Sequence, residues 1–176
     1  NLNAIQVSID GFHFNKEVRY KQGRDSAKGY YEDSYNELAF VENVLKSSQL
    51  DNPSYLMAIH DIQTDEYLDL VPIELDNDTV LITDGAYLFK PNYIEHWDLK
   101  IYLKTSFKIA MTRGVERDKN MFGGYEITKE KFKKRYHKAS KIYINNCEPQ
   151  RITDVIIDNS DFENLILVEN SFSTFI

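Results

Sequence analysis

The chain has 176 residues, 42% hydrophobic and 28% charged, with a formal net charge of −7 and a single cysteine, Cys147. That length suits one domain with a true core and is short for two ordinary ones. The acidic balance argues against a general nucleic-acid binder held by phosphate contacts, and the lone cysteine, which can form no internal disulfide, points to a reducing cytoplasm.

No apolar run approaches the ~20 residues that span a bilayer, and no signal segment opens the chain. Basic residues gather at Arg113–Lys119 and Lys129–Lys141. Most of those lysines read as a solvated helix face, which still leaves room for a local basic pocket that takes a phosphorylated ligand.

Ala4, Ile5, Val7 and Ile9, broken only by Gln6 and Ser8, predict a short strand that stops at Asp10-Gly11, followed by Phe12-His13. A carboxylate at the carboxyl end of a buried strand stands where open α/β sheets place ligands; taken alone, an Asp-Gly turn is the better reading, and the second acid-glycine pair at 84–85 is what shifts it. Residues 15–36 read as a long polar loop, too aromatic for disorder with Tyr20, Tyr30, Tyr31 and Tyr35. Asn36 is placed to cap a helix over 37–48, with Leu38, Val41, Val44 and Leu45 on one face.

Extended runs 55–62 and 66–72 flank Gln63-Thr64-Asp65 as a hairpin. The unbroken apolar run 79–83 ends in a second acid-glycine pair, Asp84-Gly85, and reads as a strand covered on both faces. A short helix after Pro91, a strand over 99–103, a helix capped by Ser106 and ended by Phe122-Gly123-Gly124, a helix capped by Thr128, and strands over 154–157 and 165–168 complete the series. Alternating strands and helices predict an α/β domain with a mostly parallel sheet.

Three stretches in this order resemble the uridine kinase branch of the P-loop kinases, which includes uridine kinases, pantothenate kinases and phosphoribulokinase. They are SIDGFH with RYKQGRDSAKGYYEDSYN, then VLITDGAYLF, then TRGVERDKNMFGG with KKRYHKASKIYI, Pro149 and DVIIDNSD. The match covers nearly the whole chain. It implies a P-loop NTPase-like three-layer domain over 1–176, with a lid-like helical region over 105–141. It also implies ATP and magnesium as cofactors, and a nucleoside or sugar-like small alcohol as acceptor, with no nucleic-acid or membrane partner. A homo-oligomer stays open.

The resemblance gives each matched residue a role. Asp10 would accept the proton of the substrate hydroxyl, and Asp84, at the end of the strand resembling Walker B, would hold magnesium through water. Asp33 would bind an acceptor hydroxyl or is simply an acid approaching a helix. Arg24 stands where the family often has a basic residue on the acceptor side. Arg113 and Arg117 would neutralise phosphate charge, or Arg117 forms a surface pair with Asp118. His13 either touches the acceptor or caps its loop. Tyr136 reads as core packing.

The chain departs from the family at three points. No G-x-x-x-x-G-K-[ST] cradle occurs, and the seven glycines never fall in that pattern. The family's central strand, which would lie between those over 80–83 and 101–103, is missing with it. The expectation is an N-terminally incomplete domain with two exposed strand edges and a bare core face. In the hairpin, His60 is present, but Ile62 and Asp65 stand where uridine kinases carry an aromatic ring and a His. The lid has fewer arginines than several relatives.

The expected activity is transfer of the γ-phosphoryl of ATP to an alcohol. The alternatives are a catalytically inactive kinase fold kept as a binding or regulatory module and, with no G-x-S-x-G elbow or metal-spaced His pair to support it, a small-molecule hydrolase. The central structural expectation is that Asp10 and Asp84 close neighbouring strands and face common ground.

Overall fold

The structure, a computed structural model, describes residues 3–171. It divides into two compact units, Asn1–His96 and Trp97–Ile176.

In the first unit, β1 (Asn3–Ser8) pairs in parallel with β6 (Thr79–Asp84), with Ser8 opposite Asp84. A tight 3₁₀ turn, Ile9–Phe12, follows β1 directly, and the Ser8 side chain caps it by accepting the Asp10 amide. Residues 15–36, expected as an irregular loop, carry two short helices, α1 (Lys16–Arg19) and α2 (Ala27–Asp33). Asn15 and Ser26 cap them, a local side-chain contribution that the polar composition of the segment concealed.

Asn36 caps α3 (Glu37–Phe40) as expected, by accepting the Ala39 amide. The helix continues as a wide π turn over Val41–Lys46 and a 3₁₀ turn over Ser47–Gln49. The Asn43 side chain donates to the Ala39 carbonyl at 2.8 Å, and such an insertion into the backbone ladder is a recognised source of helix distortion. Phe40, Val41, Val44 and Leu45 are buried, while Leu38, expected on that face, is exposed.

The hairpin forms as two small antiparallel ladders, β2 (Ser54–Tyr55) with β5 (Ile73–Glu74) and β3 (His60–Asp61) with β4 (Glu66–Tyr67). The core of this unit is Val7, Ile9, Phe12, Phe40, Val44 and Tyr93, with Phe40 edge-on to both Phe12 and Tyr93. In place of a helix after Pro91 there is one 3₁₀ turn, Ile94–His96.

In the second unit, β7 (Ile101–Lys104) pairs in parallel with β8 (Val155–Asp158), and β8 pairs antiparallel with β9 (Ile166–Asn170). α4 (Phe107–Phe122) is capped by Ser106 and ends at Gly123 in the left-handed conformation, as the sequence predicts. α5 (Tyr125–Lys131) starts one turn before the expected cap. Gly124 stands at its N-cap, and Thr128 is buried inside the helix, its hydroxyl donating to the Gly124 carbonyl. A π turn over Phe132–Tyr136 joins α5 to α6 (His137–Cys147), and Pro149 opens a last turn, α7 (Pro149–Ile152), where its missing N–H does no harm.

The expected mixed α/β arrangement with parallel pairing is therefore present. The expectation that β6 is covered on both faces is not met. Among the described residues β6 pairs with β1 alone, and Val80 and Ile82 are 41% and 53% exposed. Among the same residues β7 pairs with β8 alone, leaving Ile101 and Leu103 similarly open. No helix among the described residues is long and apolar enough to cross a membrane.

Candidate functional site

The strand pattern of β1 builds the site. Ile5, Val7 and Ile9 fall on one face, with Val7 and Ile9 fully buried, so Gln6 and Ser8 share the other face. That second face meets the end of β6. Gln6 Nε2 donates to Asp84 Oδ1 at 2.8 Å, and Ser8 Oγ lies 3.3 Å from Asp84 Oδ2. The same Ser8 Oγ accepts the Asp10 amide at 3.3 Å. One hydroxyl thus links the Asp84 carboxylate to the main-chain amide of Asp10 at the carboxyl edge of a parallel strand pair. Both acids are exposed.

Gly85 makes this edge possible. Its φ of +138° lies where side-chain-bearing residues are strained, and a Cβ there would overlap Cγ2 of the buried Ile9. Tyr87, two residues on, also has a positive φ, 67°. Its ring meets Tyr30, Tyr31 and Tyr35 edge-on. Lys90 is buried beside them, its ammonium held by the Tyr31 carbonyl and the Glu37 carboxylate and lying 4.2 Å from the Tyr31 ring centroid. This cluster carries Tyr35 back to the turn after β1, where its hydroxyl donates to Asp10 Oδ1 at 3.0 Å.

His13 completes the group. It is buried, its ring lies 4.5 Å from that of Tyr35, and Nδ1 stands 2.7 Å from the Asp10 carbonyl. A carbonyl only accepts, so Nδ1 carries the proton. Burial lowers the His13 pKa against the opposing pull of Asp10, which keeps the ring neutral at pH 7. Burial pushes the Tyr35 phenol well above its usual range, with Tyr30 and Asp10 adding to the effect. The phenol therefore stays protonated and donates.

Asp10, Asp84 and His13 are thus brought together. Asp33, at the end of α2, accepts Gln22 Nε2 at 2.9 Å. The Arg24 guanidinium stands 5.0 Å from the Tyr20 ring centroid. In the second unit, the Arg113 guanidinium donates to the carbonyls of Asn159 and Ser160, both at 2.7 Å, and so fastens the loop after β8 to α4. Arg117 grips Asp118 through Nε and Nη2 at 2.7 and 3.1 Å, the pairing the sequence offered as its alternative reading. Tyr136 packs against Phe132 at 5.0 Å.

The hairpin position that the resemblance marks is taken by an ionic knot. Asp65 accepts the Lys16 amide and Arg19 Nη2, and its carboxylate lies 3.4 Å from Nε2 of the fully buried His60. Ile62, where the family's aromatic would stand, is exposed. Sequence reading missed Gln6, Ser8, Tyr35, Lys90 and Glu37. For Gln6 and Ser8 a signal existed: two polar residues in alternation within an apolar strand.

No family model and no curated protein matches the chain. Solved structures do. A possible uridine kinase from Bacillus stearothermophilus superposes with a TM-score of 0.65 at 18% identity, over 88% of this chain and 72% of that one. A protein assigned as a fructose transport system kinase from a Silicibacter species gives 0.61 at 18% identity, over 80% and 70%. Phosphoribulokinase from Rhodobacter spheroides gives 0.59 at 16% identity, with 89% of this chain spanning 60% of that protein. The chain has the fold of the uridine kinase-like P-loop kinases.

Proposed function

We propose that this chain belongs to an ATP-dependent kinase that phosphorylates a hydroxyl of a nucleoside, a sugar or a similar small alcohol. The observation that carries the reading is the pair of exposed acids, Asp10 and Asp84, joined through Ser8 at the carboxyl edge of the β1–β6 pair. Open α/β folds bind their ligands at such an edge. In the proposed step the acceptor oxygen attacks the γ-phosphorus and the bond to the β–γ bridging oxygen breaks. ADP leaves, and the hydroxyl proton passes to Asp10.

The residues fit a magnesium ion held in part through water. Asp84 offers a carboxylate at the strand end, and Mg²⁺ commonly binds one or two carboxylates while keeping several waters and substrate phosphates. When bound, the ion would offset charge on the phosphates. Asp33, His13 and Arg24 are proposed for the acceptor, Arg113 and Arg117 for phosphate charge, and the region 105–141 as a lid. Of the five guanidinium N–H donors of Arg113, the two carbonyl contacts leave three.

The test is ADP release by the full-length protein with Mg-ATP and a panel of nucleosides and sugars. Asp10→Asn keeps the shape and removes the base, so transfer falls by at least ~10²-fold; near-normal turnover in that variant refutes the assignment. The carbonyl engagement of Arg113 favours one second reading, a kinase fold retained as a binding module. In that case Mg-ATP raises the melting temperature without any turnover.

A further inference from the structure

We infer that Tyr35 is a positioning residue for Asp10, setting which carboxylate oxygen meets the acceptor; the inference rests on the kinase reading above. Asp10 is the exposed residue of a turn whose Ile9 and Phe12 are buried, and an exposed carboxylate would ordinarily sample several rotamers. Here one oxygen is fastened. Oδ1 takes the hydroxyl of Tyr35, which is 5% exposed, while Oδ2 carries no hydrogen bond among the described residues. A carboxylate held at one oxygen and open at the other suits a group that must receive a proton from a bound hydroxyl.

The backbone holds Tyr35 in register with the acid. Tyr35 and His13 face each other as an isolated antiparallel bridge. On one side of it the Phe14 amide donates to the Ser34 carbonyl at 3.0 Å, and on the other the Asn36 amide donates to the Phe12 carbonyl at 2.8 Å. His13 Nδ1 clamps the Asp10 carbonyl, so the turn is fixed at its main chain by one ring and at its carboxylate by the other. The Tyr87 ring stands edge-on to that of Tyr35, at 6.5 Å between centroids. Rotating the phenol away from Asp10 would require moving packed aromatics.

Tyr35→Phe removes the hydroxyl and keeps the ring. In the full-length enzyme the expected result is a kcat lower by ~10–100-fold with KM for ATP changed less than about twofold, since a displaced catalytic group lowers the rate without loosening a distant ligand. Tyr93→Phe is the control. It deletes another buried tyrosine hydroxyl of the same unit, one without a hydrogen-bond partner among the described residues, and kcat stays unchanged.

A second measurement needs no turnover. In a double-mutant cycle of Asp10→Ala and Tyr35→Phe read by urea unfolding, a charge-assisted hydrogen bond gives a coupling on the order of tenfold in the unfolding equilibrium constant. Turnover that depends on Asp10 but is unchanged in Tyr35→Phe overturns the Tyr35 inference and leaves the kinase reading standing, and a coupling below twofold does the same. A wild-type protein that phosphorylates no alcohol overturns the kinase reading and the role of Tyr35 with it.

Discussion

Gly85→Ala is the substitution that most directly probes how the acid-bearing edge is built. Two costs add. The backbone holds φ at +138°, where a residue with a Cβ is strained by about 1–3 kcal/mol. The new methyl would also overlap Cγ2 of Ile9, which is 0% exposed and has nowhere to retreat. Forcing an extra methyl into such a site costs about 1–3 kcal/mol more. Together they reach about 2–6 kcal/mol, a large share of the ~5–15 kcal/mol that holds a typical domain folded, and a melting temperature lower by roughly 5–20 °C.

The assay is urea unfolding followed by circular dichroism, with amide exchange in β1 to localise the effect. Ile9→Ala separates the two terms. It removes the clashing methyl at its own cost of about 2–5 kcal/mol. In that background Gly85→Ala retains the backbone cost alone, so the cycle shows a coupling of about 1–3 kcal/mol. A loss below about 1 kcal/mol, or an equal loss in both backgrounds, refutes the claim that β1 and the turn after β6 interlock through this glycine.

Two further outcomes follow from the same contacts. Tyr93 is buried, its hydroxyl has no partner among the described residues, and its phenol pKa is driven upward by burial and by Glu37. Tyr93→Phe is therefore neutral or stabilising by up to about 1–3 kcal/mol, and a melting temperature several degrees lower contradicts the assignment of that hydroxyl as unsatisfied. For Asp65, burial raises the carboxyl pKa, but the Lys16 amide and the Arg19 guanidinium outweigh it, and the net shift is below the ordinary 3.8. A carboxyl lowered on folding contributes stability at higher pH and loses it as pH falls through its folded value. Protection of the Lys16 amide in wild type should thus decline in acid below about pH 4. Asp65→Asn tolerates the left-handed backbone at that position, φ 67°, and should lack that dependence. Identical pH profiles for the two proteins would show that Asp65 does not anchor α1.

Much of the architecture could be read from residue order. β1 and β6 follow from β-branched runs stopped by Asp-Gly, α3 from Asn36 and its spaced apolar residues, and α4 from Ser106 and Gly123. These are local signals, and a cap or a turn glycine acts within a few residues of itself. The positions of the two acids were legible for the same reason: β6 ends on Asp84, and Asp10 falls in the turn that follows β1 directly. Leu38 and the start of α5 were misjudged because a π turn and a buried threonine depend on what packs beside them.

Which side chain meets which acid could not be read from residue order, even where the alternation of Gln6 and Ser8 marked a polar face. Gln6 meets Asp84 across 78 positions, Tyr35 meets Asp10 across 25, and Lys90 reaches Glu37 across 53. The resemblance offers Arg113 for phosphate charge, and the structure adds a contact that residue order does not show, its guanidinium fastening the loop after β8. Sequence alone determined which residues could carry charge and where the chain would turn. Only the tertiary structure decided which oxygen of Asp10 is anchored and which is open, because that depends on a buried ring brought in from another element.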